Sequence, residues 1–337
     1  MRFGLALPHY DTSFRNEPAS WEVVKRVAQT AERSGFDSVW VSDHLFLDWS
    51  KYGGSDEVQG SLECWTTMGG LVSSTEGVRI GSLTTCNDFR SPALVAKMAA
   101  SLDVLSGGRV DIGLGAGWYE PEYEAAGIEF SAPGDRIRRL GEATQIVRRL
   151  LRGEEVTLDG RFYQLDGAVV RPRPVQDPAP PVWLGGKGDF LVKTAARHAD
   201  GWNLSWLTDF DAYRERSRFA DNACESLDRD PSTLKRSVGV YALVGTNEAD
   251  AAARFERLLN RTPAGVMQSA TGGPGVSWDE FRRTRVAGTV SEVVDRLGEL
   301  ESLGVEEIVV GLGALPFQVS DEDDVALFGA EVVTRLK

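Results

Sequence analysis

The sequence predicts an α/β chain folded as a single (β/α)8 barrel of the TIM type, with insertions. Short β-branched runs alternate with longer helical segments along the chain, and eight strand-then-helix units can be counted. Small, aromatic and hydroxyl residues collect just after the predicted strands, the end at which such barrels carry function. An open doubly wound sheet is the structural alternative, because alternation alone does not close a sheet.

Taken in order, Arg2–Leu7 reads as the first strand. Ser20 caps a helix whose stripe is Val23, Val24, Val27 and Ala31, and Gly35 ends it. Ser38–Ser42 is the second strand, followed by a polar, aromatic and Gly-rich loop and a helix over about Leu62–Ser74. Val78–Thr84 is the third strand. Pro92 opens a helix that Gly107-Gly108 stops, and Arg109–Leu114 is the fourth strand. A helix over Ile137–Leu151 precedes a small hairpin, Val156–Leu158 and Phe162–Leu165, split by Asp159-Gly160. The Pro-rich stretch Arg171–Pro181 suits neither helix nor central strand. Val182–Leu184, Gly201–Ser205, Ser237–Val244 and Glu306–Gly311 complete the eight strands. Their helices are predicted over Phe190–His198, Asp211–Leu227, Ala249–Leu259 and Asp323–Leu336, with Val290–Leu303 helical before the last strand. The whole chain, 1–337, is expected to be one domain with insertions near 46–61, 153–181 and 260–288.

A net charge of −13 with no basic stripe argues against a nucleic-acid surface. The opening MRFGLALPHY lacks the parts of a signal peptide, and no apolar run approaches the roughly 18 residues that span a bilayer, so a cytoplasmic, membrane-free chain is expected. Cys64, Cys86 and Cys224 have neither metal nor CxxC spacing and are expected to be reduced thiols. With three separated histidines, no metal cage is expected, and no GxSxG elbow offers a serine nucleophile.

The strand ends supply the candidates. Asp43-His44 is the leading acid/base pair, since His titrates near neutrality and a carboxylate can fix its tautomer. A strand-end His satisfying a loop carbonyl explains the same dipeptide, and the spacing leaves both readings open. His9, Phe46, Trp49 and Trp206 are expected to shape a substrate pocket suited to a flat aromatic ligand. His198, at a helix end, reads as a capping or packing residue. Gly113-x-Gly115-x-Gly117 falls short of a dinucleotide fingerprint, because Trp118 stands where the last glycine belongs. Gly185-Gly186-Lys187-Gly188 directly before a helix is either an anion cradle or a tight βα turn.

Several segments together resemble the luciferase-like monooxygenase superfamily: VWVSDHLF (39–46), the block from Arg79 to Gly127 with its SGGR turn and GAGWYEPEY, PVWLGGKGDFLVKTAARHADGWN (181–203) and VAGTVSEVVDRLGELESLGVEEIVV (286–310). FRSPALVAK and Thr85-Cys86 most resemble its members that use coenzyme F420, a deazaflavin. The resemblance implies a luciferase-like barrel and an oxidoreductase that moves hydride between coenzyme F420 and a small organic substrate. It implies a non-prolyl cis peptide near Leu83-Thr84 supporting the ring, with Thr85 beside it. It also implies ring and ribityl contacts from Gly115, Gly117 and Trp118, phosphate binding at Gly185, Gly186, Lys187 and Gly188, and Asp43 orienting His44 beside the deazaflavin. A homodimer is the family's usual state. The chain departs from the sugar-phosphate dehydrogenases of that branch, which carry a catalytic Glu where Trp118 stands. An FMN-dependent, oxygen-using monooxygenase is the alternative activity, and a coenzyme-binding protein without turnover is a third reading. Because F420 is polyanionic, a positive patch is expected around Lys187, helped by Lys51 or Arg90.

Overall fold

The computed structural model describes residues 1–271 and 277–337. Its strands are β1 (Arg2–Ala6), β2 (Ser38–Val41), β3 (Arg79–Cys86), β4 (Val110–Gly115), β5 (Val156–Asp159), β6 (Gln164–Ala168), β7 (Val182–Gly185), β8 (Gly201–Leu207), β9 (Lys235–Gly245), β10 (Val286–Thr289) and β11 (Glu307–Gly311). Eight of them form a closed parallel barrel in the order β1-β2-β3-β4-β7-β8-β9-β11, with β11 pairing back to β1. The open-sheet alternative is thereby excluded. β5 and β6 pair as an antiparallel hairpin outside the barrel.

The barrel interior holds two tryptophans, and glycines on neighbouring strands make room for them. A Cβ on Gly81 would lie 2.4 Å from the Trp40 ring, and one on Gly201 would lie 2.1 Å from the Trp183 ring. Both rings are buried. Below them Glu307, fully buried, accepts from Arg2 (2.7 Å) and from the Ser38 hydroxyl (2.5 Å), so the charge is paired where it leaves water. Val, Leu, Ile and Ala on the outward strand faces pack against the surrounding helices.

Three stretches differ from the sequence reading. The segment after β4 is not all loop: Glu120–Ala126 is helical, with Pro121 in its first turn. The 260–288 excursion contains helices Ala264–Thr271 and Trp278–Thr284 and ends in β10, which runs parallel to the second half of β9; residues 272–276 of it lie outside the described residues. The last helix is Glu322–Leu327 continued by a wider, π-type turn over Phe328–Val333. Ser20 precedes the first helix, Trp21–Arg33, but its side chain makes no capping bond.

Candidate active site

The strand C-termini open onto a cavity of about 240 Å³. β2 ends one residue before Ser42, so the chain turns out of the barrel at Asp43 and His44. His44 lines the cavity and is held by a carboxylate, though not the one beside it in sequence. Its Nδ1 lies 2.8 Å from Oε1 of Glu122, on the helix after β4. The other oxygen, Oε2, accepts from Leu45 N–H at 2.9 Å. Glu122 is buried, so this bond is charge-assisted in a poorly solvated place. Nδ1 therefore donates to this carboxylate, and Nε2 makes no hydrogen bond among the described residues. The Trp118 ring stands edge-on to the imidazole at 5.7 Å.

Asp43 has a different task from the one expected. Its carboxylate accepts two bonds from Arg90 (2.6 and 3.2 Å) and one from Cys86 N–H (3.0 Å), and it makes no bond to His44. Burial pushes its pKa above the ordinary carboxylate value, and Arg90 pulls against that rise. Asp43 thus ties the end of β2 to the end of β3 and to the segment beyond. Arg90 also pairs with Glu63, the cap of helix Cys64–Ser74, so it is spent on two carboxylates and is not a free coenzyme cation.

β3 carries the feature that gives the cavity its floor. The Leu83-Thr84 peptide is cis, and the pairing with β4 slips between Ser82 and Thr85. Leu83 and Thr84 line the cavity, whereas Thr85 turns inward and donates to the Ser82 hydroxyl at 2.9 Å. Gly115 also lies off the cavity. A Cβ there would sit 2.2 Å from the Thr84 hydroxyl, and one on Gly185 would sit 2.7 Å from the Thr84 methyl, so these glycines make room for Thr84. Gly117, at φ +71°, does reach the cavity, and the Tyr123 hydroxyl occupies the space its Cβ would need.

Of the turn after β7, Gly185 and Gly186 face the cavity, while Lys187 and Gly188 are exposed beyond it. Trp49 and Trp206 form walls, but Phe46 points to solvent. His9 is not in the pocket. It is fully buried, with Nδ1 on the Leu7 carbonyl at 2.8 Å and Nε2 against Ser42, and burial lowers its pKa to about 4. It is a neutral structural histidine, because a polar residue after a strand can fold under the loop as readily as over it. Residues not singled out from sequence complete the walls: Tyr10, Leu47, Tyr52, Pro316 and Phe317. The Tyr52 pKa rises to about 12 through burial. Among the described residues, no Lys or Arg lines the cavity. Among the described residues, no cluster of His, Cys, Asp or Glu could hold a metal, and no helix is long and apolar enough to cross a membrane.

Glu122 is a site residue that local sequence does not single out. Its available signal was Pro121 flanked by acids, which marks a first helical turn directly after a strand.

The site thus lies at the C-terminal mouth of a closed parallel barrel, with aromatic walls and an imidazole at the end of the second strand. The family described as luciferase-like monooxygenase matches residues 1–307, and the chain belongs to that family. It is 31% identical over 302 residues, 88% of this chain and 78% of the relative, to the F420-dependent hydroxymycolic acid dehydrogenase of Mycobacterium tuberculosis. It is 24% identical over 341 residues, 94% of this chain and 89% of the relative, to the FMNH2-dependent dimethylsulfone monooxygenase of Pseudomonas putida. Among solved structures, the coenzyme F420 dependent tetrahydromethanopterin reductase of Methanopyrus kandleri superposes with a TM-score of 0.75 at 21% identity, covering 100% of this chain and 99% of that one. The chain is a luciferase-like oxidoreductase.

Proposed function

We propose that this oxidoreductase uses coenzyme F420 and acts on a small, uncharged carbonyl compound or the corresponding alcohol. The observation that carries the proposal is the composition of the cavity. Flat aromatic walls, Leu83 and Thr84 surround it, and among the described residues no cation enters it and His44 presents an unpartnered Nε2 there. A planar, neutral ring suits such a slot, with Gly117, Trp118, Gly185 and Gly186 at its edges. When bound, the deazaflavin supplies or accepts the hydride.

The chain's own residues do the rest. His44 Nε2 takes the proton of an alcohol during oxidation, and the protonated imidazole returns it to a carbonyl oxygen during reduction. Glu122 holds Nδ1–H in both directions and balances the positive charge that His44 gains. Trp49, Trp118 and Trp206 limit water around the reacting atoms. A phosphate or carboxylate on the substrate would meet no counter-charge here, which with Trp118 disfavours sugar phosphates.

The relative from Mycobacterium tuberculosis supports F420, and the one from Pseudomonas putida supports FMN with oxygen as a second reading. Replacing His44 by Ala is the test of the chemistry. Single-turnover hydride transfer should slow by roughly a hundredfold or more while coenzyme affinity stays put; unchanged turnover would remove His44 from the mechanism.

A further inference from the structure

Outside the cavity, a groove of about 530 Å³ runs between helices Pro133–Leu151 and Asp189–His198. Four cations border it: Arg138, Arg161, Lys193 and Arg197, all exposed. In a chain of net charge −13 this is a local reversal of sign. The carboxylates nearby do not cancel it. Asp135 alone serves both Arg138 (3.1 Å) and Arg161 (2.9 Å), and Glu142 is turned to the backbone N–H groups of Phe162 and Tyr163. Lys193 lies over the Phe219 ring at 5.7 Å, and neither it nor Arg197 pairs with a carboxylate among the described residues. His198 at the far end adds no charge near neutral pH, since burial and then Arg197 hold its pKa at about 4.

The groove begins where the active-site turn ends. Gly186 lines the cavity and Phe190 lines the groove, so only three residues, at most roughly 14 Å of chain, separate the two. Phe190 is 41% exposed, with the Arg138 guanidinium over its ring. A second cation-rich hollow, at the opposite barrel end, has its arginines committed: Arg2 to Glu307, Arg79 to Asp111, and Arg148 and Arg152 to Asp200.

We propose that this groove holds the anionic tail of the coenzyme, the glutamyl carboxylates beyond its phosphate, and thereby favours the deazaflavin over a flavin that ends in one phosphate. The proposal rests on the coenzyme reading above. Of the positive patch expected around Lys187 and helped by Lys51 or Arg90, Arg90 is already neutralised, and the groove adds cations beyond Lys187. A cavity lined by the carboxylates of Asp43 and Glu122 repels the tail, the turn Gly185–Gly188 with its exposed Lys187 delivers it outward, and the groove's four cations lie just beyond.

The test titrates the apoprotein with F420 and, separately, with the same deazaflavin lacking phosphate and glutamates, following ligand fluorescence. The variant is the double charge reversal Lys193→Glu with Arg197→Glu, checked for an unchanged melting temperature. F420 should bind roughly tenfold more weakly to the variant at low salt, and the difference should shrink near 1 M salt, where screening acts over about 3 Å. The tailless ring should bind both proteins alike. Unchanged F420 affinity, or equal loss for both ligands, overturns the groove while leaving the ring site standing. Failure of both ligands to bind the unaltered protein removes the coenzyme reading, and the groove falls with it.

Discussion

Replacing Glu122 by Gln asks whether the carboxylate 78 residues away from His44, and not its neighbour Asp43, governs the proton. The change keeps size and one oxygen. That oxygen cannot serve both Leu45 N–H and His44 Nδ1–H, which the two carboxylate oxygens now accept at 2.9 and 2.8 Å. If it stays with Leu45, the amide NH2 faces Nδ1 and drives the proton to Nε2, the atom that must be free to accept one. A hydrogen bond to a charged group contributes about 1.5–3 kcal/mol net. With Glu122 2% exposed, little solvent screens the pair. At about 1.4 kcal/mol per decade, turnover should fall roughly ten- to hundredfold. Alcohol oxidation should suffer more than carbonyl reduction, because the altered tautomer carries a proton where a base is needed. Stopped-flow single turnovers in both directions, across pH, with coenzyme affinity measured alongside, provide the assay. Rates within twofold at every pH, or loss of coenzyme binding in step with rate, would refute the role given to Glu122.

Asp43→Asn should act on the fold more than on the chemistry. It removes Arg90's buried partner, and equilibrium urea unfolding should show a loss of about 3 kcal/mol, while turnover per folded molecule falls less than Glu122→Gln makes it fall. His9 makes the protein acid-sensitive: its folded pKa of about 4 lies below the ordinary histidine value of 6.5, so the unfolded chain binds more protons between them. That contribution, roughly 3 kcal/mol, is complete above pH 6.5 and lost as pH falls toward 4. Unfolding free energies measured against pH should show a shallower slope in that window for His9→Asn, with His198, shifted the same way, leaving some slope behind. An identical slope would rule His9 out as the cause. Gly117→Ala combines a left-handed φ of +71° with a Cβ only 1.7 Å from the Tyr123 hydroxyl, so thermal unfolding should reveal a loss of about 2–4 kcal/mol.

The barrel was legible because its strands are short β-branched runs separated by helices with clear stripes, and because glycine turns such as Gly107-Gly108 punctuate them. β10 escaped because Val286–Thr289 runs straight into helix Val290–Ser302 and gains its identity only by pairing with β9. At the site, local sequence located the mouth but not its contacts. The pairings His44 with Glu122 and Asp43 with Arg90 join residues 78 and 47 positions apart, and adjacency in sequence suggested the wrong carboxylate. The slip between Ser82 and Thr85 breaks the two-residue alternation of β3, so counting along the strand cannot say that Thr84 faces the cavity and Thr85 does not.

Which coenzyme fills the mouth is the claim on which the rest turns. Parallel titration of the apoprotein with F420 and with FMN, followed by oxygen-electrode recordings during turnover of neutral carbonyl compounds, tests it most directly. F420 should bind at least tenfold tighter (about 1.4 kcal/mol) and reduce substrate without oxygen uptake. Tighter binding of FMN, with oxygen consumed only when substrate is present, would contradict it.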